Sequence, residues 1–316
     1  MQEQRVEFFS EGARLAGILR TPDETDGPMP ALVQGPGWLG LKDAQLYLPY
    51  HQALTDAGFA VLIFDYRGFG DSEPGPKALS PSQQYEDLVN AVSWLTTRDD
   101  IDADAIGAFG SGGTGGGNAV LLAADDDRVK AAVAQVPVAD GRDWLHRMRT
   151  EYEWLDFMNA LEEDRRERTR TGAGATVHPR EGIMVPTPER RKTNVKKDVD
   201  SRIPSEVELA CAWEILDYRP VEAAARCTAP LMVIGVEGDA TTPTDHAEAI
   251  VAAAAGPSRL VMQRDTTHYA AYKRYGDTVI PEIVDWLTTH VRPAQVVVTD
   301  SGGADQPATT RHIAGV

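Results

Sequence analysis

Gly110-Ser111-Gly112-Gly113-Thr114-Gly115-Gly116-Gly117 is the stretch on which the reading of this chain turns, and six of its eight residues are glycine. Ala105-Ile106-Gly107-Ala108-Phe109 leads in as a strand, and Asn118-Ala119-Val120-Leu121-Leu122-Ala123 leads out as an apolar helix. Strand, tight glycine turn and helix make either a nucleophile elbow or a phosphate-cradling loop. Glycine at a helix start costs about 0.5–1 kcal/mol against alanine. Gly115 to Gly117 therefore imply a backbone that must turn sharply or be approached closely. The spacing Gly110-x-Gly112-x-x-Gly115 also fits a short dinucleotide pattern. That reading fails because the turn follows the fifth predicted strand and lacks the Lys-Ser/Thr ending of a phosphate loop.

Upstream of the turn, residues 5–9 and 14–20 alternate as two antiparallel strands, and Ala31-Leu32-Val33 is a short buried strand. Residues 43–57 read as a helix ending at Gly58. Phe59 to Phe64 is wholly apolar, as a parallel strand covered on both faces must be. Ser80-Pro81 opens a helix whose Tyr85, Leu88, Val89, Val92 and Leu95 form one stripe. Downstream come the strand Ala131 to Val138, the strand Leu231 to Val236, a helix near 243–255, the strand Arg259 to Met262 and a last helix carrying Val279, Ile283, Val284 and Leu287. Strands alternating with helices predict an α/β fold with a doubly wound, mostly parallel sheet. The rhythm stops between Gly141 and Cys227, where the sequence is helical and charge-dense and predicts no strand. The expected organisation is a core of 1–139 and 229–292, an inserted helical cap at 140–228 and a mobile tail at 293–316. Trp38, Trp144, Trp154, Tyr269 and Tyr272 are candidates for lining a pocket under that cap, although aromatic residues beside a lid commonly serve packing.

The 316-residue chain is 42% hydrophobic and carries a formal net charge of −17, which argues against nucleic acid or an anionic membrane as partner. No apolar run reaches the length of a membrane span, and Met1-Gln2-Glu3-Gln4-Arg5 has none of the apolar stretch of a signal peptide. Cys211 and Cys227 form neither a zinc spacing nor a disulfide framework. The expectation is a cytoplasmic protein with reduced thiols, a small-molecule substrate, no metal and no cofactor. The oligomeric state is open, with the tail after Pro293 a candidate arm for a homo-oligomer.

Over residues 5 to 292 the layout resembles the α/β-hydrolase fold, and within it the dienelactone-hydrolase-like and peptidase-S15-like branch. Four segments carry the resemblance. Asp65-Tyr66-Arg67-Gly68-Phe69-Gly70-Asp71-Ser72 is similar to the segment after the family's fourth strand, and Ile101-Asp102 through Ile106-Gly107 to the lead-in to its elbow. Glu237-Gly238-Asp239-Ala240-Thr241-Thr242-Pro243 is similar to the loop of the catalytic acid, and Asp265-Thr266-Thr267-His268-Tyr269 to the loop of the catalytic histidine. The order elbow, acid, histidine is the family's order. The resemblance implies His268 as base and Asp239 as the carboxylate that orients it, with Glu237 and Asp265 as competitors for the second role. Arg67 and Asp65 read as structural. His51, His146, His178, His246, His290 and His312 have no supporting context.

Two departures bear on the chemistry. Counted from Ile101-Asp102 and Ile106-Gly107, the nucleophile position is Gly112, which has no side chain to acylate. Ser111 lies one residue early and Thr114 requires two extra residues in the strand or turn; both remain as substitutes. The segment Gln34-Gly35-Pro36 places a proline, which has no N–H, where the family draws an oxyanion donor. Gly35, Gly37, Trp38 and the Gly113 amide are the remaining candidates for oxyanion or substrate contacts. The expected function is hydrolysis of a small ester, amide, lactone or activated C–C bond with His268 and Asp239 as base. Its rivals are a non-hydrolytic enzyme of the same fold (proton abstraction, elimination, cyclisation or C–C bond formation) and a binding protein on a dead hydrolase fold.

Overall fold

The computed structural model describes residues 1–75, 79–185 and 201–292. Strands β1 (Gln2–Ser10), β2 (Ala13–Thr21), β3 (Met29–Gly35), β4 (Ala60–Phe64), β5 (Ile101–Ser111), β6 (Val129–Gln135), β9 (Leu231–Val236) and β10 (Ser258–Gln263) form one sheet of eight in the order β1-β2-β4-β3-β5-β6-β9-β10. β2 pairs antiparallel with β1 and with β4, and every other neighbouring pair is parallel. This is the predicted doubly wound sheet, and the pattern of β4 shows why it is covered twice. All five residues of β4 are buried. Leu62 and Phe64 join the core formed with α2 (Pro81–Leu95) and α3 (Gly113–Asp125), whereas Val61 joins the core formed with α1 (Leu48–Asp56) and α10 (Gly276–Val291). A strand with period-two side chains and a helix layer on each side must be apolar at every position.

The turn between β5 and α3 packs as closely as backbone permits. A Cβ at Gly115 would meet the carbonyl oxygens of Gly35 and Pro36 at 2.7 Å, and one at Gly116 would meet that of Gln135 at 2.9 Å. The helical cost of these glycines is the cost of seating α3 directly on the ends of β3 and β6.

Between β6 and β9 the chain forms α4 (Gly141–Arg147), α5 (Glu151–Thr171), a π turn at Pro179–Ile183, α6 (Cys211–Leu216) and α7 (Pro220–Ala224). Contrary to expectation, this stretch also holds strands: β7 (Thr176–Val177) pairs antiparallel with β8 (Val207–Glu208). Two residues per strand are too few to show an alternation in sequence. α5 starts on a capping box, in which Thr150 and Glu153 satisfy each other's backbone amides. Among the described residues, no helix is long and apolar enough to cross a membrane. The predicted tail at 293–316 lies outside the described residues.

Candidate active site

Three loops at the C-terminal edge of the sheet converge. The first is the glycine turn. β5 runs two residues further than its apolar core predicts, to Ser111, and Gly112 follows with φ 77° and ψ 171°. That backbone region is essentially reserved for glycine. α3 then starts at Gly113, so its first amides open beside Gly112.

The second and third loops bring the histidine and the acid together. Asp239 lies in the loop between β9 and α8 (Thr244–Ala253), and His268 follows the loop after β10 as the first residue of α9 (His268–Arg274). His268 Nδ1 lies 2.7 Å from Asp239 Oδ2, with the His268 side chain 7% exposed and the Asp239 side chain 0% exposed. The carboxylate is held from both sides. Oδ1 accepts the Thr241 amide at 2.6 Å and the Thr242 amide at 3.1 Å, and Oδ2 accepts the Thr242 hydroxyl at 3.0 Å. Burial pushes the Asp239 carboxyl up, but the nearby His268 charge, its hydrogen bond and the two amides outweigh burial and hold it below the ordinary aspartate value. Nδ1 being committed to a carboxylate, Nε2 is the ring atom available for chemistry. The competing acids stand apart: Glu237 is exposed and faces Arg264, and Asp265 is exposed in a left-handed turn with φ 51°.

A cavity of about 640 Å³ opens onto this pair and onto Gly112. Gly37, Trp38, Ser111 and Gly113 line it, as do Trp144, Tyr269 and Tyr272. Four of the five candidate aromatic residues are thus at the cavity; Trp154 is not and packs instead on His146 and Phe157. Gly35 is not at the cavity either. It ends β3 with the Tyr66 hydroxyl 2.7 Å from where a Cβ would be.

Neither substitute nucleophile reaches the histidine. Thr114 is buried inside the first turn of α3, and Ser111, although it lines the cavity, is 1% exposed at the end of β5. The Thr114 hydroxyl has no hydrogen-bond partner, and the Ser111 hydroxyl faces the Tyr47 phenol. Each would need the strand–helix junction shifted by at least one residue, and the Gly112 backbone angles fix that junction.

Sequence reasoning missed Tyr47. Its phenol, buried at the cavity wall, lies beside Ser111 and the Gly37 backbone, while the Tyr272 phenol lies beside the Gly112 backbone. Burial pushes both phenols up, so both remain protonated donors at neutral pH. Tyr47 precedes α1 with no motif to flag it. Two of the six histidines without sequence context, His51 and His246, are buried among partners. His51 is buried between Arg20 and Gln34, and His246 sits between Asp143 at 2.8 Å and the Ala139 amide at 3.1 Å.

A strand–glycine turn–helix with a buried histidine–carboxylate pair at the same sheet edge defines an α/β hydrolase. An α/β hydrolase from a Penicillium species, GrgF, superposes with a TM-score of 0.77 at 21% identity, covering 92% of this chain and 99% of that one. The model of the X-Pro dipeptidyl-peptidase (S15) family matches residues 11–270, and the chain belongs to that family. An uncharacterised 31.7 kDa protein of Escherichia coli, from the traX-finO intergenic region, is 29% identical over 288 residues, covering 90% of this chain and 98% of that protein. The thiohydrolase aneE of Aspergillus aculeatus is 34% identical over 138 residues, 43% of this chain and 42% of that protein. The protein is an enzyme of the hydrolase class.

Proposed function

We propose that the enzyme hydrolyses a small acyl substrate (an ester, thioester or lactone) without a covalent intermediate. The observation that carries this reading is the buried His268–Asp239 pair facing a cavity whose floor is Gly112, a residue with no side chain. His268 Nε2 takes a proton from a water standing over Gly112, and the water oxygen attacks the carbonyl carbon. The negative charge that develops on the carbonyl oxygen is met by the Gly113 amide at the start of α3, where the helix dipole favours an anion, and by the Tyr272 phenol. The proton on Nε2 then passes to the departing oxygen or sulfur, leaving an acid and an alcohol or thiol. General-base assistance of this kind contributes about 10²–10⁴ in rate, which suits an activated acyl group. The name thiohydrolase, borne by a relative, supports including thioesters. We further propose that the insertion at 140–228 acts as a cap, since Trp144, Arg180, Met184 and Ile203 all come from it to the cavity.

The test is turnover in H₂¹⁸O by wild type and by His268→Gln. One ¹⁸O in the acid product, an activity about 10²–10⁴ lower in the variant, and no protein labelling by a fluorophosphonate are expected. A product formed at the wild-type rate without ¹⁸O would sink hydrolysis. It would favour proton transfer or C–C chemistry, for which the same base and the same empty place over Gly112 would serve.

A further inference from the structure

Besides His268, the cavity is lined by two charged side chains, Asp43 and Arg180. Their situations differ. Asp43 already has a partner, because Arg202 Nη2 donates to its Oδ2 at 2.8 Å. Arg180 is half-buried, and among the described residues its guanidinium has no carboxylate within ion-pair distance. Its backbone is nonetheless held in place. It sits in the π turn Pro179–Ile183, its amide bonds His178 Nδ1 at 3.2 Å, and the turn is held by Arg149, whose Nη2 donates to the Ile183 carbonyl at 2.7 Å. Pro179 and Ile183 on either side are buried.

An uncompensated guanidinium at a half-buried cavity wall has a definite chemistry. It is charged at every relevant pH and offers a planar fork that matches the two oxygens of an oxyacid. The chain carries a net charge of −17, so an arginine with no carboxylate partner among the described residues is not explained by a shortage of acids. Trp38, Trp144, Leu39 and Met184 make part of the wall aromatic and aliphatic, and Ser111, Thr241 and Thr242 add uncharged polar groups.

We propose that Arg180 is a specificity-determining residue that anchors an anionic oxyacid group of the substrate, so that the preferred substrates are acyl compounds bearing such a group. This rests on the hydrolytic reading of the site for the acyl part and on Arg180 alone for the anion. A carboxylate on the acyl chain and a phosphate on the leaving group present the same chemistry to the fork.

The experiment has two kinetic arms and one binding arm. In the first, wild type, Arg180→Gln and Arg180→Lys are compared on 4-nitrophenyl hemiglutarate against 4-nitrophenyl pentanoate. In the second they are compared on butyryl-coenzyme A against the butyryl thioester of N-acetylcysteamine. Wild type is expected to favour the charged member of one pair by at least about tenfold in kcat/KM, mainly through KM. Arg180→Gln is expected to bring that ratio close to one, and Arg180→Lys to keep part of it. The arm that responds says which source the anion has. In the binding arm, calorimetry measures glutarate and phenyl phosphate on the same proteins. One of the two is expected to bind wild type at least about tenfold more tightly than Arg180→Gln. Equal ratios in wild type and Arg180→Gln in both kinetic arms, or binding of both anions that ignores the substitution, overturn the proposal. If no ester or thioester is turned over but an anion still binds through Arg180, hydrolysis fails and the anchor stands.

Discussion

At the scale of single residues, Gly112 is the position on which the proposed chemistry rests. Its φ of 77° and ψ of 171° belong to a region that other residues enter only under strain, and a Cβ there would meet Gly37 Cα at 3.0 Å. Gly112→Ser is therefore expected to lower stability by about 1–3 kcal/mol, read as a lower urea midpoint. A variant as stable as wild type would show that the turn relaxes. Thr242 acts one step further from the reaction. Its hydroxyl and amide both hold Asp239, so Thr242→Val is expected to reduce kcat several-fold while KM for an uncharged ester stays near wild type, as befits a residue that positions another. The sequence displayed His268, Asp239 and Gly112, which the structure brings to one sheet edge, because each stands next to a strand end in a fixed order. It concealed Tyr47 and the carboxylate-holding role of Thr242. Those depend on how the chain before α1 and the loop after β9 curl back toward the turn, and no local pattern encodes that.

At the scale of elements, α3 shows propensity yielding to packing. Alanine in place of Gly116 adds about 1 kcal/mol of helix propensity in isolation. In the folded protein its Cβ would meet the Gln135 carbonyl at 2.9 Å and Pro137 Cα at 3.0 Å. Gly116→Ala is expected to lower the Tm, and an unchanged or raised Tm would mean that α3 can lift from the sheet without loss. The strands and helices of the core were legible because each is long enough to show its period. The insertion was legible as helical but not in detail. Its two-residue strands carry no period, and beside its apolar packing on the core, through Trp144, Leu145 and Leu216, part of its attachment is polar: Arg147 bridges Asp143 and Asp245, and His246 bonds Asp143. Such pairings between distant segments leave no trace in a hydrophobic pattern.

At the scale of the whole molecule, a polar line, exposed at Glu3 and buried from Arg20 inward, ties the antiparallel edge to the parallel centre. Glu3 of β1 pairs with Arg20 of β2 at 2.9 Å, Arg20 donates to His51 Nδ1 of α1 at 2.6 Å, and His51 Nε2 donates to Gln34 of β3. Burial and the adjacent Arg20 charge push His51 down to about 3. The unfolded chain protonates this histidine near its ordinary value of about 6.5, whereas the folded chain keeps it neutral. The stability it confers is complete above that value and is lost as pH falls toward the folded pKa. Each unit of separation is worth about 1.4 kcal/mol, so the loss on acidification amounts to several kcal/mol. Urea midpoints between pH 7.5 and 4.5 are expected to fall steeply for wild type and less steeply for His51→Gln, which keeps a neutral acceptor and donor in place. Parallel slopes would remove His51 as the cause.

Trp38 and Trp144 meet edge to face with ring centroids 5.3 Å apart, the first on the loop after β3 and the second on α4. One indole therefore belongs to the sheet and the other to the insertion, and Trp144 is fixed further by donating Nε1–H to the Thr241 carbonyl at 2.8 Å. Two indoles this close couple optically, and the coupling depends steeply on their separation and angle. The protein thus carries its own gauge. A near-ultraviolet dichroic signal that vanishes in Trp38→Phe and in Trp144→Phe alike would report, without any attached dye, how far the insertion stands from the loop after β3.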